Sequence, residues 1–227
     1  MSGWFITGTG TDVGKTFVAR ALLADLRAAG EAAVGMKPVA SGCYEAAQGL
    51  RSADAEALLA ASSVAADYAD VNPYAFAPAV APHLAAAAVG VAIDIENIAA
   101  HFARLQRLAS RVVVEGAGGW LTPLDARRSM ADIALRLKLP VILVVGLRLG
   151  CLNHALLTAR AIRADGAPLA GWVANRLDPA MALVEENIAT LKERIDAPLL
   201  AVFPYRSAGG APVADAFDLR KLREIAP

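Results

Sequence analysis

A nine-residue stretch near the start of the chain, Gly8-Thr9-Gly10-Thr11-Asp12-Val13-Gly14-Lys15-Thr16, combines residue types suited to binding phosphate groups. It follows a short apolar run, Trp4-Phe5-Ile6, and precedes a segment with helical periodicity. Backbone N–H groups in such a loop and at the helix N-terminus present partial positive charge to phosphate oxygens. Lys15 would reach the β- and γ-phosphates of a nucleotide, and the Thr16 hydroxyl would face Mg²⁺. The stretch therefore predicts a P-loop.

The glycine spacing of this loop differs from the usual P-loop pattern. The usual pattern has a glycine at the position occupied by Thr9, whereas Gly8 stands one residue earlier. The loop is thus one residue longer than the standard spacing. An alternative interpretation is a glycine-bearing turn between a strand and a helix with an incidental lysine. The flanking strand and helix signals favour nucleotide binding.

Three further charged residues lie where predicted strands or helices begin or end. Lys37 follows an apolar run, Glu115 follows Val112-Val113-Val114, and Asp54 lies in the opening of a predicted helix. Together with Thr16, the two carboxylates supply the hard oxygen ligands that suit Mg²⁺. Taken singly, each has a structural alternative: Asp54 as a charge at a helix start, Glu115 in a solvated turn, and Lys37 as an ordinary exposed lysine.

The elements that must position these residues alternate between strand and helix patterns. Strands are predicted over 4–6, 33–36, 112–114, 140–145, 169–174 and 199–203. Helices are predicted after Thr16, from 52, and over 95–108, 130–137, 152–164 and 185–195. Residues 39–51 and 67–83 are interpreted as irregular connections. This alternation indicates an α/β fold in a single domain, residues 1–227, with a doubly wound parallel sheet of the P-loop NTPase type.

The composition excludes several function classes. Lys plus Arg and Asp plus Glu both number 22, so a net charge of zero gives no electrostatic signature for nucleic acid or an acidic membrane. Two distant cysteines and three scattered histidines indicate neither a disulfide scaffold nor a zinc site. No basic and apolar leader opens the chain, and the prolines in 74–93 argue against a membrane helix there. We therefore expect a cytoplasmic protein.

Six stretches identify a family. They are 7–16, Lys37-Pro38-Val39-Ala40-Ser41-Gly42, Val71-Asn72-Pro73-Tyr74, Val114-Glu115-Gly116-Ala117-Gly118-Gly119-Trp120, Leu149-Gly150-Cys151-Leu152-Asn153-His154 and Gly171-Trp172-Val173-Ala174-Asn175. In these stretches the chain resembles the dethiobiotin synthetases, the ATP-dependent carboxylases of biotin synthesis, from Thr7 to about Tyr205. The longer P-loop spacing is also what this family shows. Asp12 stands where many members have glutamate, and the tail after Arg206 matches no pattern.

The resemblance implies a set of site residues. Lys37, Lys15 and Thr11 would be catalytic, and Thr16, Asp54 and Glu115 would hold Mg²⁺. Thr11, Lys37 and Ser41 would position the diamine substrate, whose carboxylate would meet Gly150, Cys151 and Asn153 of the other subunit of a homodimer. The nucleotide would contact Asp12, Val13, Gly14, Lys15, Thr16, Phe17, Asp54, Glu115, Gly116, Ala117, Gly118, Asn175, Arg176, Pro204, Tyr205 and Arg206.

The resemblance also implies a reaction, in which 7,8-diaminopelargonate, CO₂ or bicarbonate and ATP give dethiobiotin, ADP and phosphate through a phosphorylated carbamate. One alternative is a regulatory P-loop ATPase of the partitioning or septum-positioning type. Such proteins usually carry a second lysine early in the loop, where this chain has Gly8-Thr9-Gly10. Another is a relative of the cobyrinate amide synthases, which would need a glutaminase domain in addition.

Overall fold

The computed structural model describes residues 3–206 and 216–225. Its strands are β1 (Gly3–Gly8), β2 (Ala33–Met36), β3 (Val39–Ser41), β4 (Tyr44–Ala46), β5 (Gly49–Arg51), β6 (Tyr74–Phe76), β7 (Arg111–Glu115), β8 (Val141–Leu147), β9 (Leu169–Arg176) and β10 (Leu199–Phe203). Its helices are α1 (Lys15–Ala28), α2 (Ala53–Ala61), α3 (Tyr68–Val71), α4 (Pro82–Ala88), α5 (Ile95–Leu108), α6 (Met130–Leu137), α7 (Cys151–Ala164), α8 (Val184–Arg194) and α9 (Leu219–Ile225).

The centre of the fold is a six-stranded sheet in the order β10-β9-β8-β1-β7-β2. Every neighbouring pair in it is parallel, so all six carboxyl ends lie at one edge. The first strand lies between β8 and β7, with Phe5 opposite Val114 on one side and Val141 on the other. The predicted parallel sheet is therefore confirmed, and ligands of such sheets bind beyond that edge.

Alternate residues of the central strands enter two separate apolar cores, one on each face of the sheet. On β1, Phe5 packs in the core beneath α5 to α8, whereas Trp4 and Ile6 pack in the core beneath α1. Helices thus cover both faces, which explains why the strands are apolar throughout. The doubly wound arrangement predicted from the sequence is confirmed.

Two segments that we expected to be irregular contain regular structure. Residues 39–51 form β3, β4 and β5, and residues 67–83 include α3, β6 and the start of α4. These strands have three residues each and form two separate two-stranded sheets, β3 with β6 and β4 with β5. Strands this short show no detectable periodicity in sequence. The helix α4 begins at Pro82, a residue favoured in the first helical turn.

None of the helices within residues 3–206 and 216–225 is both long enough and apolar enough to cross a membrane.

Candidate active site

A cavity of about 820 Å³ lies beyond the carboxyl ends of the central strands. It brings together residues that are far apart in the chain and that the sequence singled out. Those lining it are Thr11, Asp12, Gly14, Lys15, Thr16, Lys37, Ser41, Asp54, Glu115, Ala117 and Gly118.

The P-loop connects β1 to α1 and forms one wall of this cavity. Gly14 adopts a left-handed conformation with φ of 89°, and a Cβ there would lie 2.2 Å from Asn175 Nδ2. Only glycine fits both requirements. Asp12 also has positive φ, which aspartate tolerates better than most residues. Lys15 is buried, and its Nζ donates to the carbonyl of Gly10 at 2.7 Å. This hydrogen bond connects the two ends of the P-loop.

Lys37 lies at the centre of a buried ionic cluster. Its Nζ donates to Glu115 Oε1 at 2.6 Å and to Asp54 Oδ2 at 2.7 Å. Lys37 is 4% exposed and Glu115 is 1% exposed, whereas Asp54 opens to the cavity. Lys37 directly follows the last residue of β2, and Glu115 is the last residue of β7. These two strands are neighbours in the sheet. The ammonium group therefore neutralises two carboxylates at the edge of the sheet.

The same two carboxylates converge on the Thr16 hydroxyl. Its Oγ1 lies 2.8 Å from both Asp54 Oδ1 and Glu115 Oε1, although one hydroxyl hydrogen can serve only one acceptor. Glu115 Oε2 is buried and has no hydrogen-bond partner among the described residues. Buried polar atoms are normally satisfied. A hydroxyl and two carboxylates with spare acceptor capacity fit Mg²⁺, which prefers oxygen ligands and retains water and phosphate in its shell.

The charges in the cavity shift one another's protonation. Burial, followed by the nearby charge of Lys37, lowers the pKa of Lys15 to about 8. Burial opposes the charge of Lys37, but Glu115 and Asp54 outweigh it and raise the pKa of this ammonium group. Burial likewise opposes the charge of Asp54, yet Lys37 and the Thr16 hydroxyl lower its pKa. Burial raises the pKa of Glu115, so Asp54 is the acid whose charged form the cavity favours, opposite the Lys37 ammonium group.

The other residues expected to contact the nucleotide, among them those expected at the base, are outside the cavity lining. Asn175 is buried and donates from Nδ2 to the carbonyl of Val13 at 2.9 Å.

The ring of Phe17 packs edge-on against that of Phe203, with centroids 5.0 Å apart. The Arg206 guanidinium lies 4.5 Å from the centroid of the Phe17 ring. Arg176 ends β9, and Tyr205 is exposed beyond β10 with Pro204. Gly116 follows Glu115, and its carbonyl lies 3.5 Å from Lys37 Nζ.

The residues expected at the substrate carboxylate do not line this cavity within the chain. Gly150 precedes α7 in a left-handed conformation, Cys151 is buried in the core, and Asn153 is exposed on the first turn. Leu149 beside them is 98% exposed. Their assignment to a substrate site stays a prediction.

Several residues that line the cavity were missed by the sequence prediction. They are Ala40, Ala79, Val80, Ala81, Pro82, Thr122 and Pro123. Thr122 accepts a hydrogen bond from the Gly119 backbone N–H at 2.8 Å and so braces the loop after β7. The signal that could have found residues 79 to 82 was the proline-rich connection itself, since long connections in compact domains are frequently functional.

Comparisons with known proteins identify the family of this chain. A family model described as an AAA domain matches residues 2–212. The ATP-dependent dethiobiotin synthetase BioD of Pseudomonas paraeruginosa is 53% identical over 226 residues, covering 98% of each chain. That of Xanthomonas euvesicatoria is 54% identical over 208 residues, covering 92% of this chain and 93% of the relative.

Solved structures with lower identity share the fold. The MinC:MinD cell division protein complex of Aquifex aeolicus aligns with a TM-score of 0.57 at 15% identity, covering 100% of this chain and 87% of that one. The signal recognition particle receptor FtsY of Elizabethkingia anophelis aligns with a TM-score of 0.51 at 14% identity, covering 99% and 64%. These likenesses confirm the P-loop NTPase fold, while the close relatives carry the family assignment. The chain belongs to the ATP-dependent dethiobiotin synthetase family.

Proposed function

We propose that this chain is a cytoplasmic, ATP- and Mg²⁺-dependent ligase that converts 7,8-diaminopelargonate and CO₂ to dethiobiotin, with residues 1–227 acting as one domain. The observation that carries the proposal is the position of Lys37. Its ammonium group lies in the same cavity as the P-loop, within 2.7 Å of both acidic side chains. A second ammonium group that lies at a strand end, outside the loop, suits an enzyme that must neutralise a carbamate beside the γ-phosphate.

The reaction would proceed in three stages. One amine of the substrate adds to CO₂ and gives a carbamate, whose oxygen attacks the γ-phosphorus of ATP and releases ADP. The second amine attacks the carbon of the resulting mixed anhydride, phosphate leaves, and the five-membered ureido ring closes. Ring closure is intramolecular, so a site that aligns both amines supplies much of the acceleration.

The side chains of this chain fit the charge changes in these stages. The P-loop N–H groups and Lys15 would bind the phosphates, and Lys37 would neutralise the carbamate and the transferred group. Thr11 and Ser41 line the cavity and would orient the diamine by hydrogen bonds. Mg²⁺ bound by Thr16, Asp54 and Glu115 would neutralise charge on the β- and γ-phosphates. The Asn175 carboxamide, with Pro204, Tyr205 and Arg206, would contact the base.

The far end of the substrate carries a carboxylate, and we propose that it binds across a homodimer. The first turn of α7 offers the positive end of the helix dipole and the exposed amide of Asn153, while the N–H of Cys151 already donates to the carbonyl of Arg148 at 3.0 Å. Leu149 and Leu157, at 98% and 56% exposure, give this region an apolar surface in the single chain. Such a surface supports a subunit contact.

Asn153→Ala should raise the KM for the diamine about tenfold and leave the KM for ATP nearly unchanged. A hydrogen bond to a charged group contributes about 1.5–3 kcal/mol, and no residue of the first turn of α7 lines the cavity that contains the P-loop. Steady-state kinetics with each substrate varied in turn measures both constants. Asn187→Ala, in the first turn of α8, is the matched control. A selective ATP defect in Asn153→Ala would place the carboxylate elsewhere.

Metal-free ATP should bind more weakly as the pH rises above 8. In the free protein the pKa of Lys15 is about 8, and phosphate contacts raise it, so binding above that pH requires proton uptake. The Kd should therefore rise by up to about tenfold per pH unit above 8. Calorimetry in two buffers of different ionisation enthalpy measures the Kd and the protons taken up. A Kd that is constant from pH 7 to about 9.5, without proton uptake, would be inconsistent with a phosphate contact by Lys15.

ATP turnover with and without the diamine and bicarbonate separates the proposed ligase from a regulatory ATPase. We expect phosphate release to depend on both compounds. The structural likeness to MinD, at 15% identity, extends to the fold alone and does not favour the regulator. A rate of ATP hydrolysis that does not depend on the diamine but increases with DNA or lipid would favour a regulatory ATPase over the ligase.

A further inference from the structure

We propose that Tyr68 and Asn72 are positioning residues, which together set the placement of Lys37 and Asp54 in the cavity. The proposal rests on the proposed function, because it assigns the pair to the same site. Both residues belong to the segment that begins at α3 and continues to the Asn72-Pro73-Tyr74 stretch. Neither side chain is among those lining the cavity, so each would act through the residues it holds.

The Asn72 side chain hydrogen-bonds the backbone of Lys37. This asparagine is 4% exposed, and its Nδ2 donates to the carbonyl of Lys37 at 2.7 Å and to that of Tyr74 at 3.2 Å. The backbone N–H of Lys37 donates to the carbonyl of Val71 at 2.8 Å. Residues 71 and 72 therefore hold the N–H and the C=O of Lys37. Because β2 ends at Met36, these two hydrogen bonds, rather than strand pairing, hold the backbone of Lys37 in place.

The Tyr68 hydroxyl hydrogen-bonds the N-terminus of α2, the helix that contains Asp54. Its hydroxyl accepts a hydrogen bond from the backbone N–H of Ser52 at 2.7 Å and donates to Asn72 Oδ1 at 3.1 Å. Ser52 is the N-cap of α2, and Asp54 lies in the first turn of that helix. The Arg51 guanidinium lies 3.8 Å from the centroid of the tyrosine ring and holds the ring in place.

One hydroxyl therefore joins the backbone support of the lysine to that of the aspartate. Because the Oδ1 of Asn72 accepts from the tyrosine, its Nδ2 must point towards the carbonyl of Lys37, so the two contacts orient each other. The two side chains positioned in this way meet at 2.7 Å. A displacement of about 1 Å in a catalytic arrangement is enough to change rates substantially. We infer that the pair keeps the ammonium group and the metal-facing carboxylate in fixed relation.

Tyr68→Phe tests this inference, and Tyr74→Phe is its matched control. The Tyr74 hydroxyl also accepts from the backbone N–H of a helix N-cap, Asp94 at 3.0 Å, but that helix is α5 and does not carry a cavity residue. Both rings are half-buried. The two variants should therefore lose similar thermal stability, and only Tyr68→Phe should disturb the cavity.

For Tyr68→Phe we expect kcat to fall about tenfold and the Kd for Mg-ATP, measured by calorimetry, to rise several-fold. The Kd for metal-free ATP should stay within about twofold of the unmodified protein, because the tyrosine hydroxyl bonds to Ser52 and Asn72, which lie outside the P-loop. Tyr74→Phe should leave all three constants within that range. Equal effects in the two variants, or an equal loss of metal-free and Mg-bound ATP affinity in Tyr68→Phe, would overturn the assignment.

The binding measurements separate this inference from the proposed function. If the unmodified protein makes no dethiobiotin, the proposed function fails, yet the calorimetric comparison still tests the positioning role. If the unmodified protein is active and Tyr68→Phe matches it in kcat and Mg-ATP affinity, only the positioning role fails.

Discussion

Lys37→Ala should lower the rate of dethiobiotin formation by at least about 10²–10³-fold while Mg-ATP binding remains measurable. The ammonium group lies in the cavity where we propose that the carbamate binds, and it is held there by Asp54 and Glu115. Without it, negative charge on the carbamate and the transferred phosphoryl group has no fixed counter-charge opposite the P-loop. Single-turnover assays with labelled bicarbonate measure the rate, and calorimetry measures nucleotide binding.

The same substitution leaves buried Glu115 without its counter-ion. Removing one partner of a buried ion pair typically costs about 3–5 kcal/mol of unfolding free energy. Mg²⁺ should restore part of that stability, since it would neutralise the same carboxylates, but it should not restore the rate. Lys192→Ala, at an exposed position of α8, controls for the loss of a lysine. Turnover in Lys37→Ala equal to that of the unmodified protein would refute the assigned role.

Glu115→Gln should raise the Mg²⁺ concentration needed for half-maximal activity more than about tenfold and lower kcat by about 10²-fold. The substitution keeps the shape of the side chain and removes the charge of a carboxylate whose Oε2 has no partner among the described residues. Metal-free ATP binding should not weaken, because a negative charge near the phosphates is lost. Magnesium titrations of activity, with calorimetry in chelator, measure both effects.

Glu31→Gln is the matched control for this substitution. Glu31 also pairs with basic side chains, Arg111 and Arg223, but it precedes β2 and so lies at the opposite edge of the sheet. It should lose stability without a change in magnesium dependence. A Glu115→Gln variant with the magnesium dependence of the unmodified protein would remove Glu115 from the metal site.

The central sheet was predictable because its signals are local and strong. Wholly apolar strands such as Val141–Leu147 alternate with amphipathic helices such as Ile95–Leu108, and this alternation is typical of a parallel sheet that helices cover on both faces. The three-residue strands β3 to β6 were not predictable, since their pairing depends on contacts between segments that lack a periodic pattern of their own.

The members of the site were easier to predict than their interactions. Residue type and position indicated Lys37 and Glu115, at predicted strand ends, and Asp54, at a predicted helix start, as candidate functional residues. Their ion pairs were not evident, because the pair of Lys37 and Glu115 depends on the register of two strands 78 positions apart, and that of Lys37 and Asp54 depends on how α2 packs beside β2. The roles of Tyr68 and Asn72 were hidden for the same reason. A tyrosine and an asparagine carry no chemical signature until the backbone atoms they bind are known.

The most direct test of the central claim is the fate of labelled bicarbonate in the presence of ATP, Mg²⁺ and 7,8-diaminopelargonate. We predict that the label enters an acid-stable cyclic urea in a one-to-one ratio with the ADP formed, and that omitting the diamine abolishes both. Consumption of ATP without incorporation of label would contradict the account.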